Sequence, residues 1–209
     1  MGVKNFILII LSLFVISCGG GNGDNPRQDG NRRFETSDPQ FDGYKIDFIN
    51  EAAVFGLNLD LGEIPINFGD LDNIESRTTL HHAHNNSENC DKDHGHFAYR
   101  VNNAGDTQTV GVCIEYSNGL KEILLRESSW QNLSDLSREI LVFHELGHCD
   151  DALDRDHIDA TYRGYDLSIM NSLLINPTDY VRYYDEYQEE LFTFDSQPLR
   201  DAIDNDLIP

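Results

Sequence analysis

The order of hydrophobic and polar residues along the chain predicts several short helices and strands. Residues 42–55 carry apolar side chains on one helical face, which predicts a helix that ends at Gly56. Short apolar runs predict strands at residues 64–68, 97–101, 109–116 and 121–126. Asn118 and Gly119 predict a tight hairpin turn between the last two strands. We expect a small mixed or antiparallel sheet, with an open edge near residues 121–126 that can align an extended peptide.

A longer helix is predicted to follow the sheet. Asn132 or Ser134 can cap its start, and Asp135 suits its first turn. Its predicted buried stripe consists of Leu136, Ile140, Leu141, Phe143 and Leu146. A C-terminal helix is predicted over residues 178–192. Together these patterns indicate an α+β fold, a small mixed sheet with one long helix and a C-terminal helix.

The first residues have the pattern of a bacterial lipoprotein signal. Residues 6–17 form an apolar stretch of 12 residues, which is too short to span a bilayer as a helix. Cys18 and three glycines follow, so we predict that residues 1–17 are removed and that Cys18 is lipidated. An ordinary secretory signal is the alternative. Residues 18–40 are polar and rich in glycine, which predicts a flexible tether before a single domain at residues 41–209.

The net charge of the chain limits the partners that it can bind. The chain has 15 basic and 37 acidic residues, a formal net charge of −22. Such a chain does not bind nucleic acid by releasing counterions, and it is not drawn to an anionic bilayer. We therefore expect membrane contact only through the N-terminal lipid, with the domain on the outer side of the cytoplasmic membrane, either periplasmic or on the cell surface.

Three cysteines remain once Cys18 is assigned to the lipid. They are Cys90, Cys113 and Cys149. An exported domain permits one disulfide bond among them and leaves one thiol over. The sequence does not decide which two are paired.

The main candidate for chemistry is the segment H-E-L-G-H-C, which begins at His144. His144 and His148 are four residues apart, so on a helix both imidazoles lie on one face and can share a metal ion. Glu145 sits beside that pair and can act as a base without being a ligand. Two satisfied histidines on an amphipathic helix are the alternative interpretation.

Two later segments extend this pattern. R-D-H ends at His157, and S-I-M-N contains Met170. Together with H-E-L-G-H-C they resemble a group of bacterial, often lipid-anchored metallopeptidases with a zincin or metzincin-like fold, over roughly residues 109–192. The resemblance implies a zinc endopeptidase with one zinc ion, His157 as the third ligand and a Met-turn at Met170. Asp154 is the alternative ligand, since metzincins use a histidine or aspartate ten positions after the first histidine. We favour His157, because neutral imidazole suits zinc.

Five of the eight histidines lie within residues 81–96. We interpret this segment as a solvated insertion between strands, with a second metal-binding site as the alternative. It also supports a different function for the whole chain. A lipoprotein without enzymatic activity could bind zinc or a partner through this histidine-rich segment and keep the His144–Glu145 helix as a scaffold.

Overall fold

The structure, a computed structural model, describes residues 33–72, 94–101, 107–116 and 118–207. The predicted signal peptide, Cys18 and the first part of the tether lie outside the described residues. So do Cys90 and residues 81–93 of the histidine-rich segment.

Among the described residues, helices and short strands follow one another in an α+β order. They are a 3-10 turn at Pro39–Phe41, then α1 Asp42–Val54, β1 Ile66–Phe68, β2 His94–Val101, β3 Thr107–Glu115, β4 Lys121–Leu125, α2 Glu127–Trp130, α3 Asp135–Cys149, β5 Thr161–Tyr162, β6 Tyr165–Asp166, α4 Pro177–Arg182, α5 Tyr184–Thr193 and α6 Gln197–Asp206. The predicted α+β class is confirmed.

Strands β1 to β4 form one mixed sheet in the order β1-β4-β3-β2. β1 runs parallel to β4, while β4 with β3 and β3 with β2 are antiparallel pairs. Because β1 pairs with the outer side of β4, the expected open edge near residues 121–126 is wrong. In the part of the sheet that the structure describes, the long edge strand is β2, and it begins at His94. His94 and His96 of the histidine-rich segment therefore belong to a strand rather than to the insertion.

Helix α3 lies between the sheet and a second layer of helices. It packs against β2, β3 and β4 on one side and against α1 and α4 on the other. Ser134 caps its start by accepting a hydrogen bond from the Ser137 amide at 3.2 Å. Every residue from Ile140 to Cys149 is buried, because the helix is covered on both sides. The prediction that Leu136 belongs to the buried stripe is wrong, because this residue lies in the uncovered first turn and is 38% exposed.

The C-terminal region contains more elements than the pattern predicts. The single helix expected over residues 178–192 is two helices, α4 and α5, which are separated at Tyr183 by a non-helical backbone of φ −123° and ψ 39°. The hairpin β5–β6 and helix α6 were not predicted. The hairpin turns through Arg163 and Gly164, both at positive φ. None of the helices within the described residues is long and apolar enough to cross a membrane.

The segment before the first helix is attached to the sheet. The amides of Arg33 and Phe34 donate to the buried Glu122 carboxylate on β4 at 2.9 and 3.3 Å. Asp38 donates its amide to the Ile66 carbonyl at 3.0 Å. The contacts of the domain therefore extend back to Arg33, within the stretch assigned to the tether.

A disulfide bond joins the sheet to the end of α3. It links Cys113 on β3 with Cys149, and their Cα atoms are 5.6 Å apart. The structure thus selects one of the pairings that the sequence leaves open. Because Cys149 follows His148 directly, the bond fixes the last turn of the histidine-bearing helix against the sheet.

Candidate metal centre

Three imidazoles converge at the end of α3. His144 and His148 are buried on the helix, and His157 approaches from the following loop, where it is half-buried. The Nε2 atom of His144 lies 3.0 Å from Nε2 of His148 and 3.3 Å from Nε2 of His157. Within the described part of the chain, these three residues form a group that can hold one metal ion.

Backbone carbonyls orient both helix histidines. Nδ1 of His144 lies 2.8 Å from the Ile169 carbonyl oxygen, and Nδ1 of His148 lies 2.5 Å from that of Arg155. A carbonyl oxygen only accepts, so each Nδ1 carries the proton and each Nε2 carries a lone pair. This tautomer leaves the lone pairs of both Nε2 atoms able to bind one metal ion, as is typical of metal-binding histidines.

A tight turn after α3 brings His157 back to the helix. The Asp150 carboxylate accepts hydrogen bonds from the amides of Ala152 and Leu153 at 2.9 and 3.2 Å. Asp154 then adopts a left-handed backbone at φ 41°, and the Arg155 amide donates to the Gly147 carbonyl at 3.0 Å. The left-handed residue that lets the chain return to the helix is therefore Asp154.

This turn also separates the two candidates for the third ligand. Asp154 is exposed and lies outside the group of ligand atoms formed by the three histidines, which includes His157. Its backbone conformation reverses the chain, so the residue contributes to the site through the turn.

Glu145 is fully buried between α3 and the sheet. Its carboxylate lies against Gly111 of β3, where any β-carbon would collide with Glu145 Oε1 and come within 2.9 Å of Leu141 Cδ1. Gly111 therefore provides the space that Glu145 occupies. Burying a carboxylate costs free energy, so its position beside His144 is better explained by chemistry than by packing.

Met170 packs under the same helix. It is fully buried in the turn that follows β6, and its amide donates to the Ser168 hydroxyl at 3.0 Å. A β-carbon at Gly147 would lie 2.7 Å from the Met170 sulfur and 3.3 Å from Leu191. The glycine within H-E-L-G-H thus allows the methionine turn to approach the helix between the two histidines.

A buried ion pair lies behind the histidines. The side chains of Arg155 and Glu190 are 1% and 2% exposed and form a direct salt bridge. Arg155 also donates to the carbonyl oxygens of Glu190 and Leu191, each at 2.8 Å, and Ser168 donates to Glu190 Oε2 at 2.5 Å. Burial raises the pKa of Glu190, while Arg155 and Ser168 oppose that rise. We call these contacts the Arg155–Glu190–Ser168 network.

An open cleft of about 910 Å³ lies between the start of α3 and the segments 159–166 and 171–177. Asp159, two residues after His157, lines it and accepts a hydrogen bond from the Ser172 amide at 2.8 Å. Burial alone would raise the pKa of Asp159, but hydrogen bonds from Ser172 hold that pKa below its usual value. Asp166 also lines the cleft, and burial together with neighbouring carboxylates raises its pKa. The described lining contains two carboxylates and no basic side chain.

The structure brings together most of the residues that the sequence singled out. His144, Glu145, His148 and His157 lie at the end of α3, and Met170 packs beneath it.

Sequence reasoning missed the residues that support these side chains. The glycine Gly111 inside a strand pattern was a usable signal, because such glycines mark close approaches. Glu190 gave no signal, since a glutamate on an amphipathic helix is ordinarily exposed.

Comparisons of the chain with models of protein families, with curated proteins and with solved structures find no match.

Proposed function

We propose that this chain is a zinc-dependent endopeptidase. The observation that carries the proposal is the convergence of the Nε2 atoms of His144, His148 and His157, with a buried glutamate, Glu145, directly after His144 on the same helix. Three neutral nitrogen ligands, an open fourth position and a neighbouring base are what hydrolysis of a peptide bond by a zinc enzyme requires.

The donor set suits zinc. Zinc–nitrogen bonds of about 2.0–2.1 Å in a tetrahedral site separate the ligand atoms by about 3.3 Å. The Nε2 atom of His144 lies 3.0 and 3.3 Å from those of His148 and His157, close to that value. A zinc ion held by these residues would polarise the scissile carbonyl and lower the pKa of a coordinated water to about 7.

Glu145 supplies the proton transfer in this proposal. It follows His144 on the helix and points about 100° away from it around the helix axis, so it accompanies the ligands without joining them. Its carboxylate would accept the proton of the attacking water and donate it to the leaving amine. Gly111 leaves the space for the carboxylate, because any larger residue there would push it aside.

The substrate is an extended segment of a peptide or protein. Strand β2 pairs with β3 on one side and packs against α3, so a peptide added along its other side would run past the histidines. The cleft lined by Asp159, two residues after His157, would receive a side chain of that peptide. Its carboxylates, Asp159 and Asp166, favour a basic or hydrogen-bonding side chain over an acidic one.

We further propose a metzincin-like architecture. Two features support it: the long helix carries two of the histidines beneath a sheet with an antiparallel edge, and the Met170 turn packs against Gly147 between them. The predicted lipid on Cys18 would tether the enzyme to the cell envelope outside the cytoplasm. The disulfide between Cys113 and Cys149 suits an oxidising compartment of that kind.

The second candidate is a zinc-binding lipoprotein without enzymatic activity. It rests on the five histidines within residues 81–96. The two functions differ in stoichiometry. The enzyme holds one tightly bound zinc ion that is lost in His144→Ala. The binding protein holds several ions that are lost when residues 81–96 are deleted.

The test combines metal analysis with a broad peptide-library digest. The full chain, purified in detergent and dialysed, is expected to retain one zinc ion and to cleave peptides, and a chelator should abolish the cleavage. Cleavage that persists without metal, or one tight zinc ion with no cleavage of any library member, would contradict the proposed activity. The library also shows whether basic side chains are preferred near the cleaved bond.

A further inference from the structure

We propose that Glu190 is a positioning residue that orients both helix histidines toward the metal through a single buried carboxylate. The inference rests on the metal site of the proposed function but not on peptide hydrolysis. Glu190 lies on α5, 42 residues beyond His148, and its carboxylate contacts Arg155 and Ser168. It acts through Arg155, whose carbonyl contacts His148, and through Ser168, the neighbour of Ile169, whose carbonyl contacts His144.

The first branch leads to His148. Its Nδ1–H donates to the carbonyl of Arg155 at 2.5 Å, so the position of Arg155 sets the orientation of the ring. The guanidinium of Arg155 is fixed to α5 by the Glu190 carboxylate and by the carbonyls of Glu190 and Leu191. The Arg155 amide is also bound to the Gly147 carbonyl at 3.0 Å. Arg155 is therefore held from both ends.

The second branch leads to His144. Its Nδ1–H donates to the carbonyl of Ile169 at 2.8 Å. The neighbouring Ser168 donates its hydroxyl to Glu190 Oε2 at 2.5 Å and accepts the Met170 amide at 3.0 Å. Hydrogen bonds thus fix the turn on both sides of Ile169, and the Glu190 carboxylate anchors this turn as well.

A carboxylate is the group that can serve both branches. One oxygen of Glu190 accepts from Arg155 and the other accepts from Ser168. A glutamine has one accepting oxygen, and its amide group would face either the donors of Arg155 or the hydroxyl of Ser168. Glu190→Gln therefore keeps the size of the side chain and impairs one branch. Ser168→Ala removes the second branch, together with the hydrogen bond from the Met170 amide, and leaves the ion pair intact.

The alternative is that the ion pair only holds α5 in the fold. A suitable control is Glu139, a partly buried carboxylate of α3 that accepts a hydrogen bond from Tyr180 at 2.7 Å. Glu139→Gln weakens a contact between a carboxylate of α3 and the C-terminal helices. This contact does not involve the Arg155 or Ile169 carbonyls that bind the histidines. It should lower the melting temperature without changing the histidines.

The experiment measures cobalt(II) binding by the full chain, with the absorption spectrum of the bound ion as a report on ligand geometry. The signal that is lost in His144→Ala defines the site. Circular dichroism identifies the temperature range in which each apo-protein is folded, and the titrations are run within it. We expect Glu190→Gln and Ser168→Ala to bind one cobalt ion about 10 to 100-fold more weakly, with an altered spectrum. Glu139→Gln should bind like the wild type.

Unchanged affinity and spectrum in Glu190→Gln, with a lower melting temperature as in Glu139→Gln, would overturn the inference. If Glu190→Gln does not fold, Ser168→Ala decides the question in the same way. A wild-type protein that binds cobalt at this site but cleaves no peptide would refute the proposed function and leave this inference standing. A wild type without cobalt binding would refute both.

Discussion

Replacing Gly111 by alanine tests the role of Glu145 without altering any ionisable group. A β-carbon at this position would collide with Glu145 Oε1 and lie 2.9 Å from Leu141 Cδ1. Both neighbouring side chains are fully buried, so neither can swing into solvent. The carboxylate has to move by roughly 1 Å to restore an ordinary contact, because protein interiors leave little free space.

The expected loss of activity follows from that displacement. A misplacement of about 1 Å near reacting groups can cost about 100-fold in rate, and complete loss of a general base costs up to about 10⁴. We therefore expect kcat of Gly111→Ala to fall by about 100-fold, with one zinc ion still bound. Overpacking a core costs about 1–3 kcal/mol, while removing a glycine from a strand returns about 0.5–1 kcal/mol. The net loss of stability should be about 1–2 kcal/mol.

A second glycine provides the control. Gly69 follows β1, and an added β-carbon there would lie 3.1 Å from the Leu124 side chain, away from the metal centre. Peptide cleavage, zinc content and denaturant unfolding are measured on each preparation. Gly69→Ala should lose stability and keep wild-type kcat. Wild-type kcat in a destabilised Gly111→Ala would refute the role of Glu145 as base, and loss of zinc would refute its separation from the ligands.

Three further outcomes are expected. His157→Ala should lose the tight zinc ion, whereas Asp154→Ala should weaken zinc binding by at most about 10 to 100-fold, as for a residue that only supports the ligands. Metal analysis after dialysis distinguishes the two variants, and the reverse order would make the aspartate the ligand. Replacing Cys113 and Cys149 together by serine should lower the free energy of unfolding by about 4 kcal/mol, because the bond closes a loop across a separation of 36 residues; equal urea midpoints would contradict this. Cys18→Ser should leave the protein in the soluble fraction, and anchoring as firm as in the wild type would refute lipidation.

The sequence predicted the helix histidines because their relation is local. His144 and His148 are one turn apart on a helix whose cap, Ser134, and apolar residues are all nearby in the chain. His157 was harder to predict, since its approach depends on the left-handed backbone of Asp154, which aspartate tolerates but does not require. The histidine could be favoured from its chemistry, but the turn could not be located.

Strand order was beyond the sequence patterns for a related reason. The hairpin of β3 and β4 is a local feature, and its register, with Glu115 opposite Lys121, follows from the turn between the strands. β1 comes from far upstream and pairs in parallel with β4, so the predicted edge became interior. Long-range pairing depends on the packing of the whole domain, and no local period reports it.

The supporting residues depend most strongly on tertiary packing. Gly111 and Gly147 leave space for Glu145 and Met170, and these contacts join parts of the chain that are remote in sequence. Glu190 acquires its role only when α5 packs against the loop that contains Arg155. A pattern of apolar and polar positions distinguishes buried from exposed faces, but it does not identify the partner of a buried charge.

Zinc content and peptide cleavage, measured on one preparation each of the wild type and Glu145→Ala, test the central claim most directly. Alanine removes the proton acceptor, leaves the three histidines in place and is a good helix former, so the fold should persist. We expect one zinc ion per chain in both proteins, and cleavage in Glu145→Ala reduced by about 10² to 10⁴. Undiminished cleavage by Glu145→Ala with zinc bound would contradict the proposed mechanism, and a wild type without zinc would contradict the metal centre itself.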